Sequence, residues 1–228
     1  MIEVSRVTHV YGEGATARTV LRDVSVTMSE HRVGIVGANG SGKSTFARLL
    51  NGLVVPTEGT VLVDGLDTRT EGRQVRRRVG FCFTNPDAQI VMPTVQEDVA
   101  FGLRRRGLSR EEVRSRVAEV LERFGLASHA DHPAHLLSGG QKQLLALASV
   151  LVTEPSHIVL DEPTTLLDLR NARLVADHLG RLAQQVVLVT HHLELLEGFD
   201  RVLVFDEARL VHDGPPDEAV AAYRRSMA

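Results

Sequence analysis

Apolar and polar residues alternate through Val24-Ser25-Val26-Thr27-Met28, as expected of an antiparallel strand with one face in the core and one in water. Residues 2–7, 20–28, 32–36 and 60–63 are the strand candidates of this N-terminal third. Pro56-Thr57-Glu58-Gly59 and Asp64-Gly65 punctuate them as turns. Residues 79–83 form another strand-like run, which Asn85-Pro86-Asp87 interrupts.

The period then changes from two to that of a helix. Thr94 precedes Glu97 by three residues, and Ser109 precedes Glu112 by three. Both pairs have the spacing of a reciprocal N-terminal cap. The second opens an amphipathic helix to about residue 124, with Val113, Val117, Val120, Leu121 and Phe124 on one face and Gly125 ending it. A further helix is predicted over 140–152. In the last third, 157–160, 186–190 and 202–205 are continuous apolar runs, which suit a parallel sheet covered on both faces. The sum is one α/β domain over 1–228: a mostly parallel core sheet, an N-terminal antiparallel sheet, and a helical insertion near 90–155.

Composition narrows the function. The 228 residues are 43% hydrophobic and carry a net charge of −3, so nothing global points to nucleic acid. The triplets Arg76-Arg77-Arg78 and Arg104-Arg105-Arg106 read as solvated surface or as contacts to a protein or lipid headgroup. Cys82, in an apolar run, reads as a small buried hydrophobe. No apolar run approaches the roughly 18 residues needed to cross a bilayer, and the N-terminus lacks the basic start and apolar core of a signal peptide. A cytosolic chain is expected, with any membrane role coming through a partner.

The chemistry begins at Gly37-Ala38-Asn39-Gly40-Ser41-Gly42-Lys43-Ser44-Thr45, between an apolar strand and the start of a helix over 45–50. Glycines let such a loop turn its N–H groups inward onto phosphate oxygens, and the positive end of the helix favours the same anion. Lys43 is suited to neutralising the outer phosphates, and Ser44 offers a hydroxyl to Mg²⁺. A second element, Ile158-Val159-Leu160-Asp161-Glu162, is a strand ending in two carboxylates. Beside a phosphate loop, Asp161 is placed to hold Mg²⁺ and Glu162 to orient or deprotonate an attacking water. A third, Ser138-Gly139-Gly140-Gln141, opens a helix and presents a second set of exposed N–H groups. The first device already encloses a triphosphate. Two copies arranged head to tail would give the second device its anion, each Ser138 segment capping the γ-phosphate held by the other copy's Lys43.

Taken together, these residues resemble the ATP-binding-cassette family over almost the whole chain. The resemblance implies a P-loop NTPase fold with a RecA-like core, ATP and Mg²⁺ as cofactors, and a homodimer or a dimer with a paralogue. It implies that Tyr11 stacks on adenine, that Asp168 closes the loop crossing between subunits, and that His191 contacts the γ-phosphate. His192 stands where the family usually has aspartate and is assigned no role. Thr84 stands where the family has a glutamine that touches Mg²⁺ and the attacking water. Gln89, five residues on, is no simple substitute. Thr165-Leu166-Leu167-Asp168 is bulkier than the family's loop, and Leu144 occupies a position often taken by arginine.

Within the family, residues 85–102 look like the corresponding segment of energy-coupling-factor ATPases, which power uptake of vitamins or of cobalt and nickel ions. That branch implies an integral membrane coupling protein docked on this segment, a substrate-binding membrane protein, and a peripheral location at the cytoplasmic face of the cell membrane. Ile90, Val91 and Met92 have the apolar character such docking needs. The small chain and Leu144 look closest to the biotin-uptake subset. The competing readings are a soluble ATPase in cofactor assembly and the ATPase of a conventional importer or exporter.

Overall fold

The computed structural model describes residues 1–104 and 106–227; Arg105, in the second arginine triplet, lies outside them. In chain order, β1 (Ile2–Tyr11), β2 (Arg18–Met28), β3 (Arg32–Gly37), α1 (Lys43–Leu50), β4 (Glu58–Val63), β5 (Leu66–Asp67), α2 (Gly72–Arg78) and β6 (Val79–Cys82) come first. Then come α3 (Val95–Phe101), α4 (Arg110–Arg123), α5 (Gly139–Leu151), β7 (His157–Asp161), α6 (Leu169–Gly180), β8 (Gln185–Val189), β9 (Arg201–Asp206), β10 (Arg209–Gly214) and α7 (Pro216–Ser226). They form two compact units. One comprises Met1–Val79, His157–Asp161 and Gln184–Ala228; the other comprises Gly80–Ser156 and Glu162–Ala183.

The first unit holds two sheets. One is antiparallel, in the order β2-β1-β4-β5. Val24, Val26 and Met28 are buried while Ser25 and Thr27 are exposed, as the alternation requires. Strand β1 runs on to Tyr11, past the residue 7 read from pattern, because its pairing with β2 shifts register after Val4, Val7 and His9. Each shift breaks the period-two signal without ending the strand. In the other sheet, in the order β10-β9-β3-β8-β7, the strands β9, β3, β8 and β7 run parallel and β10 returns antiparallel at the edge. The apolar runs 33–36, 158–160, 186–189 and 202–205 are almost wholly buried. Helix α1 packs against strands of both sheets, and its Phe46 ring lies 4.9 Å from that of Phe205 on β9.

The second unit is helical. α3, α4 and α6 each pack on α5. Val117, Leu121 and Phe124 of the amphipathic helix are buried, with Val113 and Val120 half-buried at the margin of the stripe. The Ser109 cap forms as its spacing predicts: Ser109 N–H donates to Glu112 Oε2 at 2.7 Å, and Glu112 N–H donates to Ser109 Oγ at 3.2 Å. The unit is wider than the 90–155 insertion expected from the sequence, since it also takes in α6.

Candidate functional site

In the first unit, the 37–45 loop joins β3 to α1. Gly37, at φ 152°, leaves no room for a Cβ against the backbone oxygen of Phe205; Gly42, at φ 105°, leaves none against that of Val20. These two positions force glycine and shape the cradle. Lys43 is buried, and its Nζ donates to Gly37 O at 2.7 Å and Ala38 O at 2.8 Å, so the ammonium folds back over the loop. Ser41 Oγ is buried and meets no protein partner.

Ser44 Oγ donates to Asp161 Oδ1 at 2.8 Å. Asp161 closes β7 and is only 2% exposed. Its other oxygen lies 3.9 Å from Arg48 Nη2. Arg48 escaped the sequence reading, although it sits one helical turn after Ser44 and therefore on the same face of α1. His191 is exposed just beyond β8. Its ring centroid lies 4.2 Å from that of His192, whose Nδ1 is 3.1 Å from Glu194 Oε1, so His192 braces its neighbour. Tyr11 is 42% exposed at the end of β1 and meets the buried His9 ring edge-on at 4.6 Å.

The second unit carries the remaining candidates. Glu162 adopts a left-handed backbone at φ 55°, rare for a non-glycine residue, and its Oε2 accepts from Thr165 Oγ1 at 2.9 Å. Asp168 caps α6 by accepting from Asn171 N–H at 2.8 Å. Ser138 caps α5: its N–H donates to Gln141 Oε1 at 2.9 Å, and Gln141 N–H donates back to Ser138 Oγ at 3.4 Å. Gly139 faces open space and Gly140 is buried.

Thr84, just after β6, is half-buried. Gln89 is committed elsewhere, its Oε1 accepting from Phe83 N–H at 3.1 Å and its Nε2 donating to Ala146 O at 3.0 Å. Burial pushes the Cys82 thiol up to about 12, against a smaller lowering from Gln89, so Cys82 is an inert part of the core. In the 85–93 segment, Val91 is 62% exposed while Ile90 and Met92 are half-buried; with Asp87, Pro93, Ala134 and His135 they line a groove of about 300 Å³. Asp98, which the sequence reading passed over, anchors this segment. Its Oδ1 accepts from the N–H groups of Val91 at 2.8 Å and Met92 at 3.0 Å, and its Oδ2 from Ser149 Oγ at 2.8 Å.

Among the described residues, no group of three or more His, Cys, Asp or Glu side chains stands ready to hold a metal. The Ser44–Asp161 pair still fits Mg²⁺, which is held by one or two protein oxygens and completes its shell with phosphate oxygens and water. The glycine cradle, the inturned Lys43 and the unpartnered Ser41 hydroxyl fit a triphosphate. No helix of the described residues is long and apolar enough to cross a membrane.

This loop and its carboxylate-terminated strand define a P-loop nucleoside triphosphatase. Residues 21–165 match the family model described as "ABC transporter", and the chain belongs to that family as an ATP-hydrolysing, ATP-binding subunit. It is 57% identical over 227 residues (all of this chain, 99% of the relative) to a putative ABC transporter ATP-binding protein of Deinococcus radiodurans. It is 50% identical over 212 residues (93% and 94%) to the biotin transport ATP-binding protein BioM of Rhizobium etli, and 41% over 226 residues (96% and 82%) to the energy-coupling factor transporter ATP-binding protein EcfA1 of Caldanaerobacter subterraneus. Among solved structures, it superimposes with a TM-score of 0.84 on the post-hydrolysis dimer of the cassette MJ0796 bound to ADP and Pi, at 30% identity, covering 95% of this chain and 99% of that one. The score is 0.83 for cbiO1 of Clostridium perfringens, part of the transporter complex cbiONQ, at 31% identity, covering 99% and 92%.

Proposed function

We propose that the chain hydrolyses Mg²⁺–ATP between two copies of itself, or between itself and a paralogue, and so drives an energy-coupling-factor importer whose cargo is biotin. The observation that carries the catalytic half is the Ser44–Asp161 hydrogen bond at the mouth of a glycine cradle containing Lys43. The loop amides of 37–45 bind the β- and γ-phosphates, and Lys43 leaves its two carbonyls to neutralise them. Tyr11 stacks on the adenine. Ser44 and Asp161 hold Mg²⁺, which when bound offsets the charge developing on the phosphates.

Glu162 accepts a proton from water as the water oxygen bonds to the γ-phosphorus. The bond from that phosphorus to the bridging oxygen breaks, and ADP leaves with both electrons of that bond on its terminal oxygen. His191 donates to a γ-phosphate oxygen. Ser138, Gly139, Gly140 and Gln141 of the second copy cap the same phosphate, and Asp168 lies on the loop crossing between copies. The bareness of Gly139 suits such an approach. The post-hydrolysis MJ0796 cassette, a dimer bound to ADP and Pi, supports it by analogy.

The membrane half rests on the 85–93 segment. Val91 stands out from a loop pinned beneath by Asp98, Gln89 and a Lys142 Nζ–Asp87 contact of 2.7 Å, which makes a rigid apolar footing for an integral membrane coupling protein. The chain then sits peripherally at the cytoplasmic face of the membrane, alongside a substrate-binding membrane protein. Biotin is favoured by the 50% identity to BioM. The test is a Glu162→Gln variant, expected to trap an ATP-bound dimer and to abolish uptake of labelled biotin by cells that depend on the transporter. Wild-type turnover by that variant would sink the catalytic assignment; biotin uptake that survives it would sink the cargo.

A further inference from the structure

The turn before α5 carries two histidines that the catalytic scheme does not use. His129 Nδ1 lies 2.8 Å from His132 Nδ1, with ring centroids 4.8 Å apart and planes at 68°. His129 Nε2 lies 3.0 Å from Gln141 Nε2. The hydrogens on all these atoms follow from one fixed point. Ser138 N–H can only donate, so the Gln141 oxygen faces it at 2.9 Å, and the Gln141 NH₂ must face His129. His129 Nε2 must therefore accept and bear no proton, which leaves the ring's hydrogen on Nδ1. That hydrogen points at His132 Nδ1, which must accept in turn, so His132 carries its hydrogen on Nε2. Both rings are neutral, and the chain of donors runs Gln141 to His129 to His132 in one direction only.

We propose that His129, backed by His132, is a proton-sensitive positioning residue that holds Gln141, and through it the Ser138 cap, in the geometry that meets the partner's ATP. A proton on His129 Nε2 sets two donors against each other, at Nε2 and the Gln141 NH₂, and the bond is lost. Gln141 then turns, and the Ser138 N–H loses its acceptor. A cationic His132 with a proton on Nδ1 would likewise confront His129 Nδ1–H. Charged and titratable groups face the turn from each element packed on it, Arg110, Arg114 and Glu122 of α4 lining a cavity with Ala127 and Ala130. Asp131 lies on the same turn and is held by Gln96 Nε2, and His135 follows on that turn. Glu97 on α3 is bonded to Thr94, and Lys142 on α5 to Asp87. Helix α3 seals the turn, with Gln96 N–H donating to Ala130 O at 2.9 Å and Val95 N–H donating to His132 O at 3.2 Å. The lever is thus a pair of rings in a held turn, and a second proton on either one breaks the chain of donors.

The inference rests on the proposed role of Ser138 across the dimer, and its test separates the two. Heteronuclear NMR of the full chain labelled at histidine reads the tautomers without nucleotide. At pH 8, His129 is expected as the Nδ1–H form and His132 as the Nε2–H form; His129 as the Nε2–H form would overturn the relay. MgATP-driven dimerisation in the Glu162→Gln background is then followed by light scattering from pH 8 to pH 6. The dimer dissociation constant is expected to rise about tenfold more than it does when His129→Gln is added, because glutamine supplies an acceptor oxygen that does not ionise. His129→Leu, which supplies none, is expected to dimerise weakly at both pH values. Equal pH dependence with and without His129→Gln overturns the proposal even where ATP-driven dimers form. Absence of such dimers at every pH overturns the dimer reading instead and leaves the tautomer result to judge the relay.

Discussion

Gly140 of α5 packs directly against the Asn171 side chain of α6, so closely that a Cβ at position 140 would overlap the amide. Asn171 is in turn fixed by Asp168, which accepts from its N–H at 2.8 Å and its Nδ2 at 3.1 Å. The start of α5 and the start of α6 therefore form one braced corner, in which the Asp168 loop reports to the Ser138 cap. Gly140→Ala is expected to force Asn171 aside, at a cost of about 1–3 kcal/mol from overpacking. Thermal denaturation should show a Tm several degrees lower, and ATP-driven dimerisation should weaken. An unshifted Tm with normal dimerisation would mean that the corner yields freely.

Asp98 gives a second prediction. Three donors converge on one buried carboxylate, and each loses its acceptor in Asp98→Ala. Leaving such donors without an acceptor costs at most about 1–3 kcal/mol each, less here because all three bonds are only part-buried and the 85–93 loop can swing into water. The variant should lose stability to urea, bind ATP as wild type does, and fail to co-purify with the membrane partner from detergent. Retention of the partner at wild-type stoichiometry would remove the loop from the docking surface.

Much of this architecture was legible from local chemistry. The 37–45 loop, the Asp161–Glu162 strand end and the Ser109 and Ser138 caps each depend on residues within a few positions of one another, so spacing reveals them. What spacing missed depends on distant or weak signals. Asp98 bonds Val91 and Met92 within its own neighbourhood, but its third partner, Ser149, is 51 residues away. Strand β10 follows a turn through Glu207 and Ala208, both at positive φ, where Gly or Asn would have flagged a hairpin. Helix α2 contains a single buried residue, Val75, so no apolar stripe announces it. Its basic residues are used locally: Arg76 Nη1 donates to Gly52 O at 3.2 Å, and Arg78 Nη1 lies 3.4 Å from Asp64 Oδ2.

Asp64 sets a pH dependence for stability. Burial alone would raise its carboxyl, but the N-terminal ammonium at 2.7 Å and His157 Nε2 at 3.0 Å outweigh it and hold the group at about 2. Its folded value is depressed, so the stabilisation is complete above the unfolded value near 4 and is lost as pH falls through about 2. The shift corresponds to about 2 kcal/mol as an upper figure. Asp64→Asn should therefore be less stable than wild type in urea at pH 5–7, and the two should converge as pH falls from about 4 towards 2. A constant gap across that range would assign the effect to packing rather than charge.

Thr84 gives a prediction for turnover. Gln89 commits its amide oxygen to Phe83 N–H and its Nε2 to Ala146 O, which fixes that side chain in place. The position that glutamine fills elsewhere in the family is thus held by a hydroxyl about two bonds shorter. Thr84→Gln lengthens that side chain, and ATP affinity is expected to stay the same. Placing an amide at the attacking water should raise kcat by about tenfold, equivalent to about 1.4 kcal/mol of transition-state stabilisation. Equilibrium nucleotide binding and steady-state phosphate release, measured on the same preparation, separate the two quantities. Unchanged kcat with unchanged affinity would show that position 84 stands apart from the reacting water, and that Glu162 alone orients it.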